Sequence, residues 1–272
     1  MKNRTLIILT ISIVLIALLP LIADVAPKEE REKHLRAFDD VEVPRPSNLE
    51  AVRLGEKLLF EVGYGPVKAG YGELSIPTII EYEENLCYLI QSRAWTNKAF
   101  NLIFPVQDMF TSIWDAENLY SYRTEKHLSE GDYKANEWIK FDQENNRAIS
   151  KDYDIETYPR VQDILSSFYY ARTLELEIGD SIPLPNHTDG KNYPVLVVTH
   201  RREKIEVPAG TFNCLVVEPI LKTPGLFDQK GRIFIWVTDN EVKMPVKMVT
   251  KIVIGEISAD LIEFEEGEVW KP

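Results

Sequence analysis

The sequence predicts a mainly β protein, an antiparallel meander curved into a half-barrel with one short amphipathic helix packed on it. Apolar and polar residues alternate from about residue 205 to residue 264. This pattern is typical of strands, whose side chains point to opposite faces in turn. Turn signals interrupt the run at residues 208–211 and at Asp239-Asn240. Because short turns join neighbouring strands, the pattern favours a meander over βαβ units.

Residues 1–23 have the pattern of an export signal peptide or of a single membrane anchor. Lys2 and Arg4 precede an apolar run that ends at Ala23, and no cysteine directly follows it. Residues 24–53 are charged and interrupted by prolines, which is typical of a tether. Both alternatives place the rest of the chain outside the cytoplasm, in the periplasm or on the outer face of the cytoplasmic membrane.

Residues 54–272 are predicted to form a single antiparallel β domain. Strands are expected where apolar residues alternate between turns that contain glycine or asparagine. Before the helix, the predicted strands are residues 57–63, 72–80, 84–95, 113–115, 120–128, 132–142 and 146–153. After it, they are residues 174–178, 204–207, 212–220, 232–238, 246–254 and 257–264.

One segment departs from the period of two. Asp163 is a suitable N-cap residue, and the apolar residues that follow it recur at helical spacing from Ile164 to Tyr169. A helix of about ten residues is therefore expected, with Arg172 near its end. Because the rest of the chain is predicted to be β, this helix is expected to lie across the sheet and cover its apolar face.

The overall charge argues against a nucleic-acid partner. The net charge is −12, so the chain repels phosphate backbones, and no basic stripe interrupts the acidic surface. Contact with a membrane is expected only through the N-terminal segment. An apolar small molecule, a lipid or another envelope protein remains as the expected class of partner.

The sequence contains no recognisable catalytic or metal-binding motif. The histidines His34, His127, His187 and His200 have no zinc-site spacing, and His187 is expected in a turn. No nucleophile elbow is present either. We therefore predict no catalytic residue, no metal and no cofactor, and a protein that is not an enzyme.

The two cysteines, Cys87 and Cys214, both lie in apolar, strand-like runs. They are either buried free thiols that pack as small hydrophobic side chains or one long-range disulfide, which an oxidising compartment would permit.

Several aromatic residues could line an apolar pocket beneath the helix, or they could fill an ordinary core. The candidate pocket residues are Trp95, Phe104, Trp114, Phe168, Tyr169 and Trp236.

The order of several short motifs resembles an exported bacterial family catalogued as domain of unknown function 3108. The resemblance spans about residues 54 to 264. Its motifs are Gly55-Glu56-Lys57-Leu58, Val67-Lys68-Ala69-Gly70, Phe104-Pro105-Val106-Gln107-Asp108, Val161-Gln162-Asp163, Phe168-Tyr169-Tyr170, Gly179-Asp180, Val207-Pro208-Ala209-Gly210-Thr211-Phe212 and Ile235-Trp236-Val237-Thr238-Asp239. The family supplies no catalytic residue to transfer.

A looser resemblance concerns the hairpin formed by Trp236-Val237-Thr238-Asp239 and Met244-Pro245-Val246-Lys247. It is similar to periplasmic lipoprotein-carrier proteins, whose open barrel carries helical lids over an apolar cavity. The resemblance implies that the predicted helix is such a lid. The leading hypothesis is non-enzymatic binding of an apolar or lipid-like ligand or of an envelope partner. The alternatives are a scaffold in envelope assembly and a polysaccharide hydrolase.

Overall fold

The computed structural model describes residues 43–221, 231–252 and 255–271. The expected export segment, residues 1–23, and residues 24–42 of the expected tether lie outside the described residues. Among the residues that are described, no helix has the length and apolarity needed to cross a membrane.

Strands dominate the described chain. The strands are β1 (Arg53–Leu54), β2 (Lys57–Tyr64), β3 (Val67–Tyr82), β4 (Asn85–Thr96), β5 (Gln107–Asp115), β6 (Ser121–Glu130), β7 (Tyr133–Asp142), β8 (Arg147–Ile149), β9 (Asp154–Glu156), β10 (Ser181–Thr188), β11 (Lys191–Val207), β12 (Gly210–Leu221), β13 (Gly231–Thr238), β14 (Pro245–Ile252), β15 (Glu256–Glu265) and β16 (Glu268–Val269). The helices are α1 (Lys98–Asn101), α2 (Ile164–Arg172) and a short 3₁₀ helix (Leu49–Ala51).

One large antiparallel sheet forms the body of the protein. Its fourteen strands follow the order β10-β11-β12-β13-β14-β15-β2-β3-β4-β5-β6-β7-β8-β9, while β1 and β16 pair separately. Almost every neighbour in the sheet is also a neighbour in the chain, so the predicted meander is confirmed. The sheet is not closed into a barrel, and the predicted half-barrel is therefore confirmed as well.

The sheet curves until its two ends approach each other. The amide of Asn192, in β11, donates a hydrogen bond of 2.8 Å to the carbonyl of Glu156, in β9. Gln162 forms an isolated bridge with Asn186, in β10. Irregularities in the register, such as the one at His200, interrupt several ladders, and such bulges increase the local twist and bend of a strand.

The inner face of the sheet forms the core. Leu58, Phe60 and Val62 alternate along β2 and are at most 2% exposed. They join a hydrophobic cluster that includes residues of α2. Side chains on this face are buried because the curved sheet surrounds them and the helix covers them.

The structure corrects the sequence predictions around the helix. Residues 174–178 were predicted as a strand, but none forms there. Leu174 and Leu176 are apolar because their side chains pack into the core, where they are 2% and 8% exposed. The segment has no neighbouring strand to pair with among the described residues. His187 was expected in a turn; it lies in β10 and is fully buried. Strand β5 begins earlier than predicted. Of residues 146–153, only Arg147–Ile149 form a strand, β8, and the next strand, β9, begins at Asp154.

The described end of the expected tether packs against α2. The backbone N–H groups of Ser47 and Asn48 each donate a hydrogen bond of 3.0 Å to the carbonyl of Thr173. The hydroxyl of Tyr170 donates a bond of 2.6 Å to the carbonyl of Pro44. Val52 is 2% exposed. This segment is therefore in contact with the folded domain from residue 44 onward.

Candidate functional site

An apolar cavity lies between α2 and the inner face of strands β10 to β14. Its volume is about 100 Å³. The lining is aliphatic except for one aromatic ring, one hydroxyl and two cationic side chains. The lining residues are Ile164, Leu165, Ser167, Phe168, Ala171, Arg172, Leu176, Leu184, Val195, Val197, Val217, Pro219, Ile233, Ile235, Val237, Lys243 and Met248.

The alternation of side chains along β13 shows how the sheet builds this lining. Ile233, Ile235 and Val237 point to the cavity. Phe234 and Trp236 occupy the intervening positions and therefore the opposite face. The strand is apolar on both faces, and the curvature of the sheet decides which face becomes the cavity wall.

The N-terminal end of α2 is anchored to β5 and β6 through its cap. The carboxylate of Asp163 accepts hydrogen bonds from the backbone N–H groups of Leu165, at 2.8 Å, and Ser166, at 3.1 Å. Its second oxygen accepts bonds of 2.5 Å from the hydroxyls of Ser112 and Ser121. Burial raises the pKa of the Asp163 carboxyl, and the hydrogen bonds oppose that effect. The predicted N-cap is confirmed, and it also joins the helix to the sheet.

The C-terminal end of α2 is anchored by a buried ion pair. The Arg172 guanidinium donates to both carboxylate oxygens of Glu56, at 2.8 Å and 2.6 Å. The two side chains are 2% and 1% exposed. Burial disfavours the charged guanidinium, yet the pKa of Arg172 is raised because Glu56 attracts it. The same guanidinium also donates to the carbonyl of Val242, at 3.3 Å.

These contacts fix the position of α2 on the sheet. Both of its ends are joined to the sheet by buried charged groups, Asp163 at one end and Arg172 at the other. Removing either group from its partners would leave a buried charge unpaired, which is costly. Helix α2 therefore covers the cavity and is held in place at both ends in this structure.

Phe168 is the one of the six aromatic pocket candidates that lines this cavity. Trp114 and Tyr169 are fully buried in the core. The indole N–H of Trp114 donates a bond of 3.1 Å to Gln162, and the ring of Tyr169 lies 4.9 Å from the guanidinium of Arg172.

The other three candidates lie away from the cavity. Trp95, in β4, is half-buried, with its ring 5.9 Å from that of Tyr71. Phe104 follows α1 and is half-buried. Trp236 donates from its indole N–H to Glu203, at 3.2 Å, on the face opposite the cavity. Large aromatic rings were expected to line the pocket. In the structure, aliphatic side chains line most of the cavity.

The sequence reasoning missed the aliphatic wall and one lysine. The wall residues Val195 and Val197 lie in β11, a strand predicted to begin only at residue 204. Their alternation with Leu196 and Val198 is weak because all four are apolar. Lys243 follows β13 in a turn, and a lone lysine in a turn carries no sequence signal of a site.

Among the described residues, Lys243 and Arg172 are the charged residues of the lining, and no carboxylate belongs to it. The guanidinium of Arg172 is neutralised by Glu56. Lys243 is 9% exposed, and among the described residues its ammonium has no hydrogen bond or salt bridge. Burial lowers the pKa of this ammonium, and Arg172 lowers it further. Glu241, Glu175 and Asp239 raise this pKa, but none of them forms a salt bridge with Lys243 among the described residues, so the lining carries one positive charge without a close partner.

A second polar cluster lies where the ends of the sheet approach each other. The His187 ring nitrogens contact Asn192, at 2.7 Å, and the hydroxyl of Tyr153, at 3.3 Å. Burial lowers the pKa of His187 to about 4, so the ring is neutral near pH 7. The ammonium of Lys126 pairs with Asp189 nearby. Each of these groups has a partner within the fold, which is consistent with a structural role.

The two cysteines are buried free thiols, the first of the two alternatives. Burial raises the pKa of Cys87 to about 12 and that of Cys214 to about 11, so neither thiol ionises readily. Within the described ranges, no group of three or more potential ligands is placed to hold a metal ion.

Comparison with known proteins identifies the family. The family model described as "Protein of unknown function (DUF3108)" matches residues 59–262. The chain belongs to the DUF3108 family. The match agrees with the resemblance of the sequence motifs. No curated protein matches this DUF3108 chain.

The DUF3108 chain is similar to several solved structures. A β-barrel-like protein of the DUF1849 family from Brucella abortus has a TM-score of 0.55 and 9% identity, covering 81% of this chain and 100% of its own. A candidate lipoprotein from Parabacteroides distasonis has a TM-score of 0.37 and 10% identity, covering 82% and 100%. A candidate exported protein with a YmcC-like fold from Bacteroides fragilis has a TM-score of 0.35 and 13% identity, covering 78% and 96%.

Proposed function

We propose that this DUF3108 protein is a non-enzymatic binding protein of the cell envelope that holds an apolar, lipid-like ligand between α2 and the sheet. The observation that carries the proposal is the apolar cavity beneath the anchored helix. An unfilled apolar space costs stability, at about 24 cal/mol per Å³ of cavity, and a ligand that fills it recovers this free energy.

The chemistry of the lining favours binding over hydrolysis. A glycosidase needs two carboxyl groups on either side of its substrate. No carboxylate lines the cavity in the described part of the chain, and the walls are aliphatic. Apolar walls with few polar groups are the usual composition of a small-molecule site.

The size of the cavity limits what it can enclose. An apolar cavity of about 150 Å³ is sufficient to bind benzene. The present volume of about 100 Å³ therefore suits a segment of a single hydrocarbon chain, with the remainder leaving through the opening. A ligand with two bulky chains would require the sheet and α2 to separate.

The proposal is tested by titrating the purified protein with 1-octanol, a neutral single-chain probe. Methyl resonances are followed by NMR. We expect those of Val197, Val217 and Ile235, which line the cavity, to shift, and those of Val62, in β2, to stay unchanged.

A pair of variants locates the binding. Ala171→Trp places an indole in the cavity, since Ala171 lines it, and should abolish the shifts. Ala99→Trp makes the same change on the exposed surface of α1 and should leave them unchanged. Saturable shifts that survive Ala171→Trp, or no shifts at all in the unmodified protein, would refute binding at this site.

A further inference from the structure

The cavity is apolar on its walls but charged at one point. Lys243 lines it from the turn between β13 and β14. Lys243 is 9% exposed, so most of its side chain is buried, while its ammonium keeps contact with solvent because it is not one of the fully buried unpartnered atoms. A partly buried ammonium without a salt-bridge partner is unfavourable because it has lost part of its hydration and gained no close counter-charge.

The neighbouring charges compensate the ammonium of Lys243 only in part. Glu175, Glu241 and Asp239 raise the pKa of its ammonium, but these acidic residues are exposed and form no salt bridge with it among the residues described. Arg172 is close enough to lower that pKa, and its own guanidinium is already paired with Glu56. The positive charge of Lys243 thus has no strong counter-charge from the described protein.

The backbone holds Lys243 in place. Its φ is 46°, in the left-handed region that non-glycine residues seldom adopt. Its N–H donates a hydrogen bond of 3.2 Å to the side-chain oxygen of Asn240, and the N–H of Val242 donates one of 3.1 Å to the same atom. The turn therefore fixes the backbone from which the Lys243 side chain extends, so this part of the site needs no ordering of the main chain when a ligand binds.

From this arrangement we infer that the ligand is a single-chain amphiphile with an anionic carboxylate head, as in a fatty acid. This inference rests on the proposed binding function and specifies its ligand class. The hydrocarbon chain occupies the aliphatic space between α2 and β10 to β14. The carboxylate pairs with the ammonium of Lys243, and such charge-assisted hydrogen bonds are stronger than neutral ones.

The test compares three probes that share one chain: octanoate, 1-octanol and octyl phosphate. Affinities are measured at pH 7 by the methyl NMR shifts used above. We expect octanoate to bind at least tenfold more tightly than 1-octanol. Equal affinities for octanoate and 1-octanol would overturn the inference while leaving the binding function intact, whereas no binding of either would overturn both. Tighter binding of octyl phosphate than of octanoate would refute the carboxylate and assign the site to phosphate head groups.

Variants assign the preference to one side chain. Lys243→Met keeps an unbranched side chain but removes the charge, and should reduce the affinity for octanoate at least tenfold with little effect on 1-octanol. Lys243→Arg should retain the preference for the anion. The control is Lys247→Met, since Lys247 already pairs with Asp260, at 2.7 Å, and does not line the cavity.

Two results would overturn the role of Lys243: an undiminished preference for octanoate in Lys243→Met, or the same loss in Lys247→Met. Circular dichroism verifies that each variant is folded. If Lys243→Met does not fold, the comparison of probes on the unmodified protein and on Lys243→Arg still decides the inference.

Discussion

The buried pair between Glu56 and Arg172 should be the most sensitive electrostatic contact of the fold. Arg172→Met removes the guanidinium while keeping most of the apolar stem. It leaves the Glu56 carboxylate at 1% side-chain exposure without its cation. Breaking a buried pair from one side costs about 3–5 kcal/mol, so we expect a loss of that size in the free energy of unfolding.

The structure gives two reasons to expect that the loss of unfolding free energy in Arg172→Met lies toward the upper end of this range. Both guanidinium nitrogens of the pair donate to the carboxylate, at 2.8 Å and 2.6 Å, so two charge-assisted bonds are lost together. The carbonyl of Val242 also loses its donor. Because Arg172 is the last residue of α2, Arg172→Met should weaken the attachment of this helix over the cavity as well as destabilise the domain.

The measurement is urea unfolding followed by circular dichroism, with a double-mutant cycle that adds Glu56→Gln. The double variant should be more stable than the sum of the single effects predicts, because it leaves no buried charge. The control pair is Arg202 and Asp239, separated by 2.7 Å with side chains 60% and 29% exposed. Arg202→Met should cost less than about 1 kcal/mol.

The reasoning would be refuted if Arg172→Met and Arg202→Met destabilised the protein equally. It would also fail if the effects of the Glu56 and Arg172 substitutions were additive, since independent effects would mean that the two groups are not coupled in the folded state.

Two other predictions concern stability. Burial lowers the pKa of His187 from 6.5 to about 4. The neutral ring therefore makes its full contribution to the free energy of unfolding above about pH 6.5, and this contribution is lost as the pH falls toward 4. Urea unfolding should show that the free energy of unfolding declines by roughly 3 kcal/mol between pH 6.5 and pH 4, and that this decline is absent in His187→Gln. The same pH dependence in the variant and in the unmodified protein would contradict this assignment. Gly267 has φ of 65°, and a Cβ there would collide with the backbone of Glu56, whereas Gly65, with φ of 53°, has open space around it. Gly267→Ala should therefore cost about 3 kcal/mol and Gly65→Ala about 1 kcal/mol; equal losses would show that the close approach is unimportant.

Much of the fold was predictable because its signals are local. Leu58, Phe60 and Val62 alternate with more exposed residues, and one face of β2 is buried as that pattern predicts. Asp163 is followed by an apolar pattern of helical period, and α2 begins at Ile164. Both signals arise within a few residues, where side-chain geometry alone relates sequence to structure.

Segments near the site were harder to predict because their environment is not local. Leu174 and Leu176 alternate as in a strand, but the structure provides no neighbour to pair with them. His187 lies among turn-forming residues in the sequence, yet pairing with Asn192 makes it part of β10. Strand formation depends on the partner strand, and tertiary context can override the preference of a segment.

The candidate site was predicted only in outline. A cavity beneath the helix was expected, and Phe168 lines one. Trp236 was placed in the pocket and Ile235 was not, because both faces of β13 are apolar and sequence cannot tell the concave face from the convex one. The carboxylate that pairs with Arg172 lies 116 residues away, and nothing in the local sequence around Glu56 indicates that it faces the helix.

The amino-acid sequence by itself determined the family, the meander, and the position and N-cap of α2, because period and capping are properties of neighbouring residues. Only the tertiary structure decided which side of the sheet faces the helix, which side chains enclose the cavity, and that Lys243 borders it without a salt bridge to any described residue. Those features depend on the curvature of the whole sheet and on contacts between distant segments, which no local pattern encodes.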